Sequence, residues 1–222
     1  GTLSMLAGLA QGCYVAAYHV GHLLDQRDRK ALSDTLRGVG LGQVTGLIGM
    51  EEQPCLVPTP AWKLQRDKQP WSVVDAALLA AGRGPSAATA LQLALLTSAV
   101  ASGSPIPTPR IVTQATAQDG SILFTPTARQ NPALPLTQSS LGSIRSAMQS
   151  LKSSAKRTSV AGVAAPASGG DTQPNVAWFL GYAPADRPEV AISVVVEGGP
   201  SQMPAATAIA AQVLDQFRAV RG

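Results

Sequence analysis

The stretch VAGVAAPASGGDTQPNVAWFLGYAPADRPEVAISVVVEGG, residues 160–199, decides how this chain reads. Two of its segments, 175–182 and 190–196, alternate apolar with small residues and are bounded by Pro, Gly or Asp clusters of the kind that end strands. They predict consecutive antiparallel strands. Between them Ala183-Pro184-Ala185-Asp186-Arg187-Pro188 supplies the turn, because two prolines fix φ and the aspartate caps the reversal locally. A third apolar segment, 159–167, leads in, and an alanine-rich helix over 204–220 follows.

Outward from that stretch, composition sets the bounds. A chain of 222 residues, 45% hydrophobic, is long enough for one good core or two small ones. A single compact domain over 1–222 is expected, with an α-rich part over 1–103, a connector and hairpin over 104–136, and a helix, sheet and final helix over 137–222. Only 14% of residues are charged and 4% aromatic, so Leu, Val, Ile and Ala must build the core. The net charge of +4 is modest and the basic residues scatter, apart from 27–30 and 152–157. Without a basic stripe backed by aromatics or a motif, no nucleic acid partner is expected. No run of 18 uninterrupted apolar residues occurs, so no membrane span is predicted. Residues 1–11 are apolar but lack a basic n-region, which makes a poor signal peptide, and the leading Gly reads as a processed or engineered start.

Two cysteines, Cys13 and Cys55, allow one disulfide at most. They read either as buried thiols acting as small apolar residues or as a bridge suited to an exported protein; the spacing supplies no metal ligand set. His19 and His22 lie three apart on a predicted helix over 13–24, but without a third ligand they read as structural or solvent-facing. No metal or cofactor is expected.

A second helix is predicted over 27–39, with Leu32, Leu36 and Val39 on one side. Gly38-Val39-Gly40-Leu41-Gly42 follows a helix rather than a strand and lacks a Lys-Ser or Lys-Thr pair, so it reads as a helix stop and not a phosphate cradle. Residues 51–69, with Pro54, Pro58 and Pro60, read as a proline-punctuated loop. Helices follow over 71–79 and 86–100, the latter apolar around most of its circumference and expected at the centre of an all-α half. A proline-rich connector over 104–109 ends it. Segments 109–116 and 121–124 form a hairpin around Asp119-Gly120, and Leu141, Ile144, Met148 and Leu151 mark an amphipathic helix over 137–151 capped by Thr137.

The wording AWFLGYAP, then a β-branched strand ending VVVEGG and a last helix, resembles the C-terminal end of the transpeptidase domain of penicillin-binding proteins. The resemblance implies an α+β fold: an antiparallel sheet against helices plus an all-α half, of the transpeptidase and β-lactamase kind, with the N-terminal strands missing. The family's preceding strand reads VAGKTGTA. Here Val160-Ala161-Gly162 matches its first three residues and Val163, Ala164 and Ala165 replace the Lys-Thr-Gly triplet that holds the substrate carboxylate. The family's Ser-x-Asn motif finds its best local match in Gly12-Cys13-Tyr14, without hydroxyl or amide. Ala81-Gly82-Arg83-Gly84 and the Leu91-Gln92 pair keep parts of two further family segments. Ser153-Ser154-Ala155-Lys156 has the spacing of the family's acylation motif but lies late in the chain, in a polar run, and reads as a chance copy.

These residues imply no catalytic set and a vestigial cleft made of Gly12, Cys13, Tyr14, Val163, Ala164 and Ala165. The resemblance then implies a non-catalytic scaffold or recognition module of cell-wall assembly, extracytoplasmic, with cell-wall synthesis proteins or peptidoglycan peptides as partners. The alternatives are the C-terminal part of an active D,D-transpeptidase, with its serine some 50 residues ahead of Gly12, and a binder of a small apolar ligand in a pocket lined by Tyr14, Val163 and Ala165. In the family two earlier strands lie beside the last one. Their absence predicts an open edge over 190–196, covered by 1–11 or paired with another chain, giving a homo-oligomer.

Overall fold

The computed structural model describes residues 4, 7–8, 11–47, 50–127, 131–150, 155–167 and 174–221. Helix α1 covers Tyr14–Arg27 and stops at Asp28, whose backbone is extended at φ −158°. The Asp28 carboxylate accepts the Lys30 N–H at 2.9 Å, a local turn that competes with helix. Helix α2 therefore spans Ala31–Gly38 and does not begin at 27 as expected. It closes with Gly40 at φ +85°, Gly40 N–H donating to Arg37 and Leu41 N–H to Leu36, the paired bonds that a left-handed glycine makes available.

The segment read as a loop over 51–69 contains helix α3, Pro60–Asp67. Thr59 caps it by accepting the Trp62 N–H at 3.1 Å, and Pro60 occupies the first helical position, where no amide hydrogen is needed. Helix α4, Val73–Ala80, opens with a capping box between Ser72 and Asp75, and helix α5, Ala90–Ser102, with one between Thr89 and Gln92. A short hairpin follows, β1 (Ala115–Thr116) with β2 (Ile122–Phe124), its first strand much shorter than the predicted 109–116. Helix α6, Gln138–Gln149, is capped by Thr137, which accepts the Ser140 N–H at 3.1 Å. Strands β3 (Ala161–Ala167), β4 (Val176–Ala183) and β5 (Val190–Glu197) make an antiparallel sheet in that order, and a short 3-10 turn leads to helix α7, Met203–Arg221.

Register gives the sheet two faces with different partners. Val163 pairs with Leu180, Ala164 with Phe179 and Gly162 with Gly181. Val160, Phe179 and Ala183 meet Ala206, Ala210 and Leu214 of α7, three residues on one stripe at steps of four. On the opposite face Ala161 and Tyr182 meet Ala99, Val100 and Ala101 of α5 and Leu141 and Met148 of α6. Helix α5 was expected inside an all-α half; instead its small C-terminal residues bring it onto the sheet. The leucines of its first turns are only half-buried, whereas Gln92, Thr97, Ala99, Val100 and Ala101 are buried. The remaining helices keep their own small cluster, Trp71, Ala76 and Leu79 with Leu32 and Leu36.

Strand β5 has one strand neighbour among the described residues. The expectation that residues 1–11 cover its free edge lies largely outside the described residues. Cys13 and Cys55 are free, half-buried thiols. No described helix is long and apolar enough to cross a membrane.

Candidate functional site

The start of α1 lies against strand β3. Gly12 takes a left-handed φ of +60°, and a Cβ built there would stand 3.5 Å from the Ala164 carbonyl oxygen. Two residues on, the Tyr14 hydroxyl donates to the Pro166 carbonyl at 2.9 Å. Four residues further, one helical turn, Tyr18 stacks beside Tyr14 with ring centroids 6.4 Å apart. Arg83, from the loop after α4, lies 5.1 Å over the Tyr14 ring and donates to the Tyr18 hydroxyl at 3.3 Å. Burial pushes the Tyr14 phenol above its ordinary range, against the pull of the Arg83 guanidinium, so at neutral pH it remains a hydrogen-bond donor.

The six residues named from the sequence thus divide. Gly12 and Tyr14 meet β3 through its backbone oxygens, with Cys13 as the residue that caps α1. Val163 points to the helical face, where it lines an apolar cavity of about 150 Å³ with Leu96, Thr97, Val100, Met148 and Leu180. Ala164, one residue on, packs on the α7 side. Neither Tyr14 nor Ala165 lines that cavity, so Val163 does not share it with the two residues that an apolar-ligand site would add. Sequence reasoning missed Tyr18 and Arg83; the four-residue spacing of the tyrosines was the available signal for the first.

Three polar groups on the helical side are buried without a hydrogen-bond partner among the described residues: Arg145 Nη2, Tyr182 Oη and Ser193 Oγ. Burial raises the Tyr182 phenol above its ordinary range while Arg145 pulls it down. Residues 153 and 154 of the Ser-x-x-Lys copy lie outside the described set. No group of three His, Cys, Asp or Glu that could hold a metal occurs among the described residues.

The profile of the family described as the penicillin binding protein transpeptidase domain matches residues 2–216. The chain belongs to that family. Curated relatives include the peptidoglycan D,D-transpeptidases MrdA of Acinetobacter baumannii, 29% identical over 90% of this chain and 32% of theirs, and of Haemophilus influenzae, 26% identical over 92% and 34%. The chain therefore spans about a third of the length of these relatives. Its fold is similar to that of Pseudomonas aeruginosa PBP2, with a TM-score of 0.79 at 24% identity over 97% of this chain and 47% of that one. It is also similar to PBP2 of Helicobacter pylori, solved in complex with MreC, with a TM-score of 0.74 at 24% identity over 97% and 41%.

In this transpeptidase-family chain the backbone at Gly12 has its own consequence. A serine there would need the left-handed conformation that residues bearing a Cβ adopt at a cost of about 1–2 kcal/mol. Gly12→Ser is therefore expected to lower the unfolding free energy by about that much, read as a lower urea midpoint at an unchanged slope, since a Cβ there meets its nearest foreign atom only at 3.5 Å, an ordinary contact.

Proposed function

We propose that this chain is a non-catalytic transpeptidase-like domain, one unit over 1–222, that serves as a scaffold or recognition module in peptidoglycan assembly outside the cytoplasm. The observation that carries the reading is the seating of Tyr14 on Pro166 beside Gly12. Where the family resemblance calls for a serine, an asparagine and a lysine, the two walls meet through a phenol and a backbone carbonyl. Acyl transfer needs an activated nucleophile, a base within hydrogen-bond reach and donors aimed at the developing oxyanion. The side chains at the six cleft positions offer a thiol, a phenol, one isopropyl group and two methyls, and Gly12 offers none. Groups that act as a unit lose their effect together, so several such replacements leave no mechanism to defend. The similarity to a PBP2 fold solved with MreC supports a cell-wall synthesis protein as the kind of partner.

A second reading is the C-terminal part of an active D,D-transpeptidase whose serine lies upstream. The cavity behind Val163 and the unpartnered Ser193, Tyr182 and Arg145 groups favour it, because buried polar atoms are rarely left unpaired in a finished core. Incubation of the full-length protein with a fluorescent penicillin separates the two. No covalent band is expected; stoichiometric labelling, lost when an upstream serine is replaced, would establish the second reading instead.

A further inference from the structure

The helical half holds another cleft, remote in sequence from strand β3. It has a volume of about 280 Å³ and is lined by α3, the approach to α4 and α4 itself, with Trp62, Lys63, Arg66, Asp67, Trp71 and Asp75 on its walls. Two of the three tryptophans of an aromatic-poor chain meet there. Trp71 is buried, and its indole N–H is taken by Asp25 at 3.0 Å, so it offers the cleft only its ring. Trp62 is half-buried, and the Arg66 guanidinium lies 4.1 Å above its ring.

The charges on the walls cancel. Lys63 pairs with Asp75 at 2.5 Å, and Arg66 holds Asp67 through two bonds of 2.5 and 2.9 Å. A charged ligand seated at the Lys63–Asp75 pair, whose side chains are only 15% and 22% exposed, would have to compete with it and leave one partner short of its counter-charge. An uncharged ring with an apolar face of C–H bonds and a rim of hydroxyls meets no such obstacle. Its face suits the electron-rich face of an indole, and its hydroxyls can both donate to the Asp75 carboxylate and accept from the Lys63 ammonium without separating that pair.

We propose that this cleft binds a neutral saccharide of the N-acetylhexosamine type, the glycan rather than the peptide of a cell-wall polymer. The chemistry of the cleft stands on these residues alone; the choice of glycan as its natural ligand rests on the reading given under Proposed function. Arg66, whose side chain is half exposed at 51%, covers the indole and gives way to the sugar ring.

The experiment titrates the full chain with tetra-N-acetylchitotetraose, which carries no peptide, and in parallel with a peptidoglycan stem peptide that carries no sugar, following tryptophan emission. Saturable binding of the oligosaccharide and none of the peptide is expected. Trp62→Ala should weaken it about tenfold, the scale of one lost aromatic contact, and Arg66→Ala should strengthen it severalfold by uncovering the ring. Arg66 is exposed, so the second variant decides the matter even where the first fails to fold. No saturation with the oligosaccharide, saturation with the peptide in its place, or an affinity that neither substitution moves overturns the proposal. Penicillin labelling is a separate readout: a chain that labels yet binds the oligosaccharide through Trp62 sinks the non-catalytic reading and leaves this cleft standing.

Discussion

Phe179→Ala is expected to destabilise the protein by about 3–5 kcal/mol, the range for removing a buried phenyl ring. Phe179 is 1% exposed, and its ring spans the paired glycines of β3 and β4: a Cβ built at Gly162 would stand 2.6 Å from Phe179 Cζ and one at Gly181 2.7 Å from Cε1. Neither glycine can supply atoms to close the gap once the ring has gone. Its cross-strand partners are Ala164 and Val194, and across the layer its cluster holds Ala206, Ala210 and Leu214 of α7, of which the alanines have no longer side chain to swing in. Val194 and Leu214 can fill part of the space, but closing the rest requires α7 to move toward the sheet, so a substantial cavity term remains. In a chain of this length each kcal/mol shifts the melting temperature by about 2–4 °C, which a thermal melt followed by circular dichroism resolves easily. Phe179→Leu should cost clearly less, because it refills part of the volume. A loss of under about 1 kcal/mol in the alanine variant would mean that the ring does not bridge the strands.

That ring explains which parts of the fold were legible in the sequence. The short apolar runs AWFLGYA and VAISVVV, bounded by Pro and Gly and alternating bulky with small residues, mark β4 and β5 to within a residue, because a strand covered on both faces is apolar along its length while its two faces here differ in residue size. Glycines 162 and 181 are silent in that record; only pairing shows them opposite one another beneath Phe179. Helix α3 was misread since Pro54, Pro58 and Pro60 suggest a broken chain, although Thr59-Pro60 is equally a cap followed by a first helical residue. Helix α5 was misplaced for a related reason. Its leucines dominate the pattern, yet the contact with the sheet is made by Ala99 and Ala101, whose small size permits close approach and leaves little trace in periodicity. At the site, the register of Val163, Ala164 and Ala165 came from family resemblance, and the contact of Tyr14 with Pro166 across 152 residues is a tertiary fact that no local spacing encodes.

The wall opposite β3 depends on a close helix crossing, and Gly21 sets its distance. A Cβ there would meet the Ala76 carbonyl oxygen at 2.5 Å and the Ala80 Cβ at 2.8 Å. Backbone and a methyl cannot rotate aside, so α1 and α4 must separate to admit any larger residue. Gly21→Ala sets two effects against each other: helix propensity favours alanine by about 1 kcal/mol, while overpacking in a filled interface costs about 1–3 kcal/mol. The net change is expected to be destabilising. For Gly21→Leu the propensity gain is no greater and the intruding volume much larger, so a loss of about 3 kcal/mol is expected. Because α1 carries Tyr14 at its start, displacement of the helix should also break the bond to Pro166 and make the Tyr14 phenol more reactive toward nitration, whereas destabilisation from the α7 side through Phe179 should leave that reactivity in the native state nearly unchanged. An increase of stability in Gly21→Ala would show that the helices part without strain and that the closed geometry at Tyr14 does not depend on their crossing.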